Sequence, residues 1–153
     1  MEKIKRGFHT SESLWMPEHY GEVIAKKGGL DKTIIWRIED VMDFIFPREF
    51  QPTQHKIACD FMKLILGKDK IDNKAVRDFA KENNYSRSTI TNKIIPKLAR
   101  FGLIRNENDP GGKGRLIQGI KPVLGKSLAF ADYLERIGFA WKLIVSEAEK
   151  GRG

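Results

Sequence analysis

Three turn signals divide the centre of the sequence into segments too short to be stable helices on their own. These signals are Gly67, Asn83-Asn84 and Gly102, residue types that tolerate the left-handed backbone of a tight turn. Before the first signal and between the later ones, apolar residues at helical spacing predict helices over 52–66, 73–82 and 86–101. Isolated helices of ~12–15 residues are marginal in water, so these three must pack against one another.

The hydrophobic period changes after the third turn signal. Two short apolar runs, 103–105 and 115–118, are predicted strands, and the glycine-rich stretch 108–114 between them is a predicted hairpin tip. Pro122 and Gly125 are predicted to mark the exit from this hairpin. The predicted fold class is therefore α+β, mostly α, with a three-helix core and a β-hairpin.

Further helices are predicted on both sides of this core. A short helix begins near Pro17, and an amphipathic helix over about 31–45 ends before Pro47. A long helix over about 127–149 closes the chain. The predicted organisation is an N-terminal extension, a central domain and a C-terminal helix, which span 1–49, 50–125 and 126–153.

Positive charge is concentrated in the central domain. The 153 residues carry 28 Lys and Arg against 20 Asp and Glu, a net charge of +8. Residues 50–125 hold fifteen of the basic and seven of the acidic side chains, whereas 1–49 balance to −1 and 126–153 to +1. An excess on one module is typical of a polyanion partner such as nucleic acid. The alternative is a lysine-rich surface that only keeps the protein in solution.

Composition excludes several other classes of protein. A single cysteine, Cys59, leaves no intrachain disulfide and suits a reducing cytoplasm. No apolar run approaches the ~18 residues of a membrane span, and the charged N-terminus lacks the apolar stretch of a signal peptide. We expect a soluble, cytoplasmic protein.

Three stretches of the central domain carry a known pattern: VRDFA at 76–80, YSRSTI at 85–90 and LARFGLI at 98–104. In this order, within roughly residues 50–120, they resemble the winged helix-turn-helix DNA-binding family, in particular prokaryotic and archaeal transcription regulators. The resemblance implies sequence-specific binding of double-stranded DNA, with the third helix in the major groove and the hairpin, or wing, on the backbone or in the minor groove. It also implies regulation of transcription, the commonest role of this architecture.

The third helix has an outward face that suits base reading. If Ile90 faces the core, Ser88, Thr89 and Asn92 point away from it, with Thr91 and Lys93 on the flanks. An ordinary solvated face usually mixes both signs of charge, whereas 86–100 holds four basic side chains and no acidic one. The predicted DNA-binding residues on this helix are Ser86, Arg87, Ser88, Thr89, Thr91, Asn92 and Lys93.

The hairpin tip supplies a second predicted contact with DNA. Lys113 and Arg115 flank glycines, so the backbone can approach a phosphate while two cations neutralise it. Glu107 and Asp109 on the same tip oppose this role. The G-x-x-x-x-G-K-[ST] spacing of a phosphate loop is absent from the sequence.

Pro96 interrupts the third helix. Proline has no backbone N–H, so the carbonyl of Asn92 loses its helical hydrogen bond. A straight helix would also aim Lys97 near the core, where the family pattern has an apolar residue. We therefore predict a kink or one-residue bulge at Pro96 that turns Ile95 inward and Lys97 outward.

The C-terminal helix is too apolar to stand alone in solvent. Its apolar residues alternate spacings of three and four, as in a coiled coil, and Gly138 permits a close approach. We predict that it joins two copies into a homodimer through Leu134, Gly138, Trp141 and Val145. Packing against the helix predicted over 31–45 is the alternative, and both arrangements can coexist.

The sequence offers little for catalysis. Its three histidines are scattered, and His55 with Cys59 supplies two metal ligands where a zinc site needs three or four. We expect no enzyme activity, no catalytic residue, no metal and no cofactor. Besides transcription regulation, two roles stay open: another DNA transaction such as replication, partition or nucleoid packing, and a winged-helix module for protein–protein contact.

Overall fold

The computed structural model describes residues 13–16, 18–108 and 122–152. Over these residues the chain is α+β and mostly helical, as predicted. The helices are α1 Tyr20–Lys26, α2 Ile38–Met42, α3 Pro52–Lys68, α4 Asn73–Glu82, α5 Arg87–Thr89, α6 Ile95–Arg100 and α7 Ala129–Lys150, with a π-helical turn Ile90–Ile94 between α5 and α6. The strands are β1 Lys70–Asp72, β2 Ile104–Asn106 and β3 Val123–Lys126.

The strands form one antiparallel sheet in the order β1-β3-β2. Leu124 at its centre pairs with Ile71 on one side and Asn106 on the other. The strand predicted over 115–118 lies outside the described residues, and the described partner of β2 is β3. The predicted hairpin exit at Pro122 and Gly125 was therefore wrong, because Gly125 lies inside a strand.

The core lies where α3, α4, the π-helical turn and α6 meet the sheet. Phe61 of α3 is fully buried and meets Phe79 of α4 edge to face, 5.7 Å between ring centroids. Ile71 and Leu124 close the core from the sheet, each 2% exposed. The buried residues of α4 are Val76, Phe79 and Ala80, which lie on one face of the helix predicted over 73–82.

Helix α3 runs slightly further than its sequence signals indicate. Pro52 occupies the first turn as predicted, but Gly67 lies within the helix, which ends at Lys68. Nothing lies within 4 Å of the position a Gly67 side chain would take, so that glycine meets no obstacle to helical backbone. Asp69, with φ at +69°, makes the turn instead.

The predicted amphipathic helix over 31–45 was too long. The Asp31 carboxylate accepts hydrogen bonds from the Thr33 amide at 2.9 Å and its hydroxyl at 2.7 Å, which fixes a turn instead of a helical start. Helix α2 begins only at Ile38, where Asp40 accepts the Arg37 N–H at 3.0 Å. Ile35 fits the helical spacing of apolar residues over 31–45, but its side chain is 89% exposed. Its spacing therefore did not indicate a buried helix face.

Candidate nucleic-acid interface

The third helix, composed of α5, the π-helical turn and α6, is held at both ends by local signals in the sequence. At its start, Asn84 takes φ of +55° to make the predicted tight turn. Ser86 then caps the helix by accepting the Thr89 N–H at 3.3 Å. At its end, Gly102 takes φ of +81°, and Leu103 N–H bonds the Leu98 carbonyl at 2.9 Å.

Tyr85 anchors the start of this helix to the core. Its ring packs against Phe79, 5.8 Å between centroids, and its hydroxyl donates to Oδ2 of Asp60 in α3 at 2.5 Å. Burial, reinforced by this hydrogen bond, raises the pKa of the Tyr85 hydroxyl to about 12. The hydroxyl therefore stays protonated at neutral pH and continues to donate.

The predicted outward face of the third helix is confirmed as a surface. Thr89 and Thr91 are half-buried at its edges, while Ile90 and Ile94 are fully buried on the opposite side. The remaining predicted residues are exposed: Ser86, Arg87, Ser88, Asn92 and Lys93.

Two hydrogen bonds order the polar side chains on this face. Asn92 Nδ2 donates to Ser88 Oγ at 3.1 Å, and Arg87 Nη2 approaches Asn73 Oδ1 of α4 at 3.4 Å. An amide nitrogen carries two hydrogens, so Asn92 keeps a second one beside its acceptor oxygen. A paired donor and acceptor of this kind matches the major-groove edge of adenine. The contact with Asn73 was missed at the sequence level because nothing in the spacing joins those two positions.

The predicted bulge in the third helix is confirmed, with one error. The Ile95 N–H bonds the Ile90 carbonyl five residues earlier, so one extra residue lies in the turn before Pro96. Ile95 faces inward as predicted, only 2% exposed. Lys97 does not turn outward; it is also only 2% exposed.

The buried Lys97 side chain links the third helix to the segment after α2. Its Nζ donates to the Ile45 carbonyl at 2.5 Å and lies 5.1 Å from the centroid of the Phe46 ring. The hydrogen bond and the cation–π contact compensate the ammonium group for its loss of water. The Lys97 side chain therefore stays in the core, although the bulge is present. Burial lowers the pKa of Lys97 to about 8. Of the four basic residues between 86 and 100, Lys97 therefore contributes nothing to the outward face.

The base of the hairpin is described, and its tip is not. Glu107 N–H continues the pairing by bonding the Val123 carbonyl at 2.7 Å. Its carboxylate, predicted to repel phosphate, accepts a hydrogen bond from Arg105 Nε at 3.1 Å and lies across Gly125, where a Cβ would be 2.8 Å from Oε1. The other predicted residues of the tip, Asp109, Lys113 and Arg115, lie outside the described residues.

The four predicted dimerisation residues are accessible on α7, which buries none of its side chains fully within the chain. Leu134 is 44% exposed and Trp141 is 65% exposed. Within the described part of the N-terminal extension, α7 is approached at its first turns, where Phe130 and Leu134 line an apolar recess of about 310 Å³ together with Trp36, Val41 and Phe44. The alternative packing along the helix predicted over 31–45 is thus limited to the base of α7.

The cluster around His55 is part of the core. Its Nε2 lies 3.0 Å from the Glu39 carbonyl oxygen and 3.3 Å from Asp43 Oδ1. Burial raises the pKa of the neighbouring Cys59 thiol to about 11, so that group is neutral at pH 7. Within residues 13–16, 18–108 and 122–152, no three His, Cys, Asp or Glu side chains are grouped to hold a metal ion.

Comparisons with protein-family models, curated proteins and solved structures give no significant match to this chain. None of the helices in the described part of the chain is long and apolar enough to cross a membrane.

Proposed function

We propose that residues 50–125 form a winged helix-turn-helix domain and that the protein is a cytoplasmic, sequence-specific binder of double-stranded DNA. The element order α3, β1, α4, third helix, β2 and β3, with sheet order β1-β3-β2, supports this assignment. The observation that carries it is the exposed polar face of the third helix. This face holds no acidic residue and lies within residues 50–125, where the excess of positive charge is found.

In this proposal the two ends of the interface have different tasks. Arg87 and Asn92 read base edges in the major groove, since arginine matches guanine and asparagine matches adenine. Ser88, Thr89 and Thr91 complete the polar surface, and Lys93 contacts phosphate. On the wing, Lys113 and Arg115 neutralise the backbone.

In this proposal the protein acts as a homodimer and regulates transcription. One domain of this size reads few base pairs, whereas two recognition helices one DNA turn apart read a longer site. The exposed apolar residues of α7 support a second copy as its partner, because water contact with so many large apolar side chains is unfavourable. The same helix favours the second candidate function, a protein–protein interaction module in a larger assembly.

Salt dependence of duplex binding tests the proposed function. Neutralising about six phosphates should give a slope near −5 in a plot of log affinity against log salt concentration. Fluorescence anisotropy with a random-sequence duplex measures this slope. Absence of binding at low salt would reject DNA binding and leave the interaction module.

Loss of base contacts should relax sequence preference. In selections from a random duplex pool, we expect Arg87→Ala and Asn92→Ala each to reduce the preference for the selected site about tenfold, with little change on random duplex for Asn92→Ala. Lys63→Ala is the charge control for Arg87→Ala, because Lys63 pairs with Glu39 on another surface at 2.6 Å. If both variants keep the native sequence preference, the outward face of the third helix does not read bases.

The wing makes a different prediction. Lys113→Ala should weaken binding to all sequences alike and flatten the salt slope by about one, because a phosphate contact releases about one counterion. Anisotropy titrations of the selected and random duplexes at several salt concentrations measure both effects. A change in sequence preference without a change in slope would contradict the assignment.

A further inference from the structure

Helix α7 leaves a large apolar surface unpaired within the chain. Of the side chains on its 22 residues, Ile137, Trp141 and Ile144 are 65%, 65% and 59% exposed. These residues, with Leu134 and Val145, follow one side of the helix, which is the pattern of a helix that packs against another helix.

We propose that two copies of the chain pair through α7 in antiparallel orientation, with Trp141 of each helix packed over Gly138 of the other. This inference rests on the proposed homodimer and adds its geometry. The stripe that carries it consists of Ala131, Leu134, Gly138, Trp141, Val145 and Ala148.

This stripe is symmetric about the middle of α7. Its six residues form three couples, and the members of each couple are equally far from the point between Phe139 and Ala140, which is also the midpoint of the helix. A two-fold axis through that point brings the members of each couple together from opposite chains. The couples are Ala131 with Ala148, Leu134 with Val145, and Gly138 with Trp141.

Side-chain size agrees with the antiparallel arrangement. The space beside Gly138 is open, since nothing lies within 4 Å of the position of an added Cβ. An indole from the partner fills that space and buries the exposed ring of Trp141. In a parallel pair, equal residues meet, so one layer would hold two glycines and leave a void while another would hold two tryptophans.

Charge on the edge of the stripe agrees as well. Glu135 and Lys142 lie on the same flank of α7, one heptad apart and on opposite sides of the midpoint of the helix. Antiparallel pairing therefore places Lys142 beside Glu135 of the partner subunit, twice per dimer. Edge contacts in a parallel pair run between opposite flanks, so these two residues would not meet.

The recess at the base of α7 lies on the same side as the stripe. Phe130 and Leu134 line this apolar space of about 310 Å³. In the antiparallel pair, the C-terminal turns of the partner helix run past Leu134, so they cover the recess. The contact therefore extends beyond the two helices and adds apolar burial to a pair of only about three heptads.

The length of α7 sets the distance between the ends of the two third helices in the antiparallel pair. At 1.5 Å per residue, 22 residues span about 33 Å, so the two helix starts lie about 30 Å apart in the antiparallel pair. Each start is bonded to the end of a third helix, where Phe130 N–H donates to the Gly102 carbonyl at 3.0 Å. The C-terminal ends of the two third helices are thus about 30 Å apart, a spacing compatible with recognition helices that enter the groove one turn of DNA, about 34 Å, apart. Parallel pairing would bring the helix starts within about 10 Å.

Cysteine cross-linking of the full chain tests the orientation. In a Cys59→Ala background, which removes the only native thiol, three variants are compared: Leu134→Cys, Val145→Cys and the double variant Leu134→Cys/Val145→Cys. A short bis-maleimide joins thiols only within about 8 Å, whereas positions 134 and 145 are about 16 Å apart along one helix. Mass in solution is measured for each variant before cross-linking.

We expect every variant to be dimeric and only the double variant to yield covalent dimers. A dimer that cross-links through Leu134→Cys alone, or in none of the variants, would overturn the antiparallel pair and leave the homodimer intact. A monomeric mass for the native chain would overturn both. Duplex binding is measured separately by anisotropy, so failure of the pairing remains distinguishable from failure of DNA binding.

Discussion

Gly102→Val is expected to lower the free energy of unfolding by about 3 kcal/mol, a large part of the ~5–15 kcal/mol of a typical domain. Gly102 has φ of +81°, a backbone conformation that costs a side-chain-bearing residue about 1–2 kcal/mol and a β-branched one more. A Cβ there would also lie 2.8 Å from the Ala129 Cβ and 2.9 Å from the Phe130 nitrogen. Such overpacking typically costs about 1–3 kcal/mol.

Urea denaturation at a fixed protein concentration measures this effect. Gly67→Ala is the matched control, because Gly67 is exposed within α3 with nothing within 4 Å of an added Cβ, and alanine favours a helix by up to about 1 kcal/mol. If the two variants unfold at the same urea concentration, the tight junction between the third helix and α7 does not exist in solution.

The native protein should gain stability as the pH rises from 7 to 9.5, and Lys97 is the cause. The pKa of Lys97 is about 8 in the folded chain and 10.5 when exposed, so the unfolded chain holds more protons between these values. Unfolding then takes up a proton, and the free energy of unfolding increases with pH. From pH 7 to 9.5 this single group contributes about 2 kcal/mol.

Lys97→Met should remove this rise while keeping the volume of the side chain. We expect it to match or exceed the native protein in stability at pH 7 and to lose that advantage by pH 9.5. Lys93→Met, an exposed lysine on the same helix, is the control and should retain the native pH profile. The pKa of the Cys59 thiol is 9.0 when exposed and about 11 in the folded chain, so its ionisation in the unfolded chain offsets part of the rise near pH 9 in all three proteins. The range stops at pH 9.5 because ionisation of Tyr85 in the unfolded chain lowers stability further at higher pH. Parallel profiles for the native protein and Lys97→Met would contradict the assignment.

Local signals were sufficient to predict the centre of the fold. Asp72 caps α4 by accepting the Ala75 N–H at 2.8 Å, and Ser86 caps the third helix, because each side chain needs only a nearby backbone donor. Asn84 and Gly102 supply left-handed turns for equally local reasons. The outward face of the third helix followed from the same information, since burial of Ile90 fixes the direction of its neighbours.

Features that depend on distant residues escaped prediction. The strand Val123–Lys126 has a glycine within it and gains its pairing from β1, more than fifty residues earlier in the chain. Lys97 tolerates burial because the Ile45 carbonyl accepts a hydrogen bond from its Nζ, a contact that spacing along the helix cannot reveal. Helix α2 was overextended because Ile34 and Ile35 fit the helical period although the Asp31 turn excludes them from the helix.

The π-helical turn gives the third helix two halves with different evolutionary freedom. After the extra residue, Ile95, Lys97 and Leu98 are all buried, so that half is constrained by the core. Before it, Arg87, Ser88 and Asn92 are exposed and can vary without loss of stability. Divergence among descendants of this sequence should therefore accumulate at the exposed positions 87, 88, 92 and 93, while the buried Ile90 and the half beyond Ile94 stay fixed. Under the proposed function, such changes alter the DNA target without loss of stability.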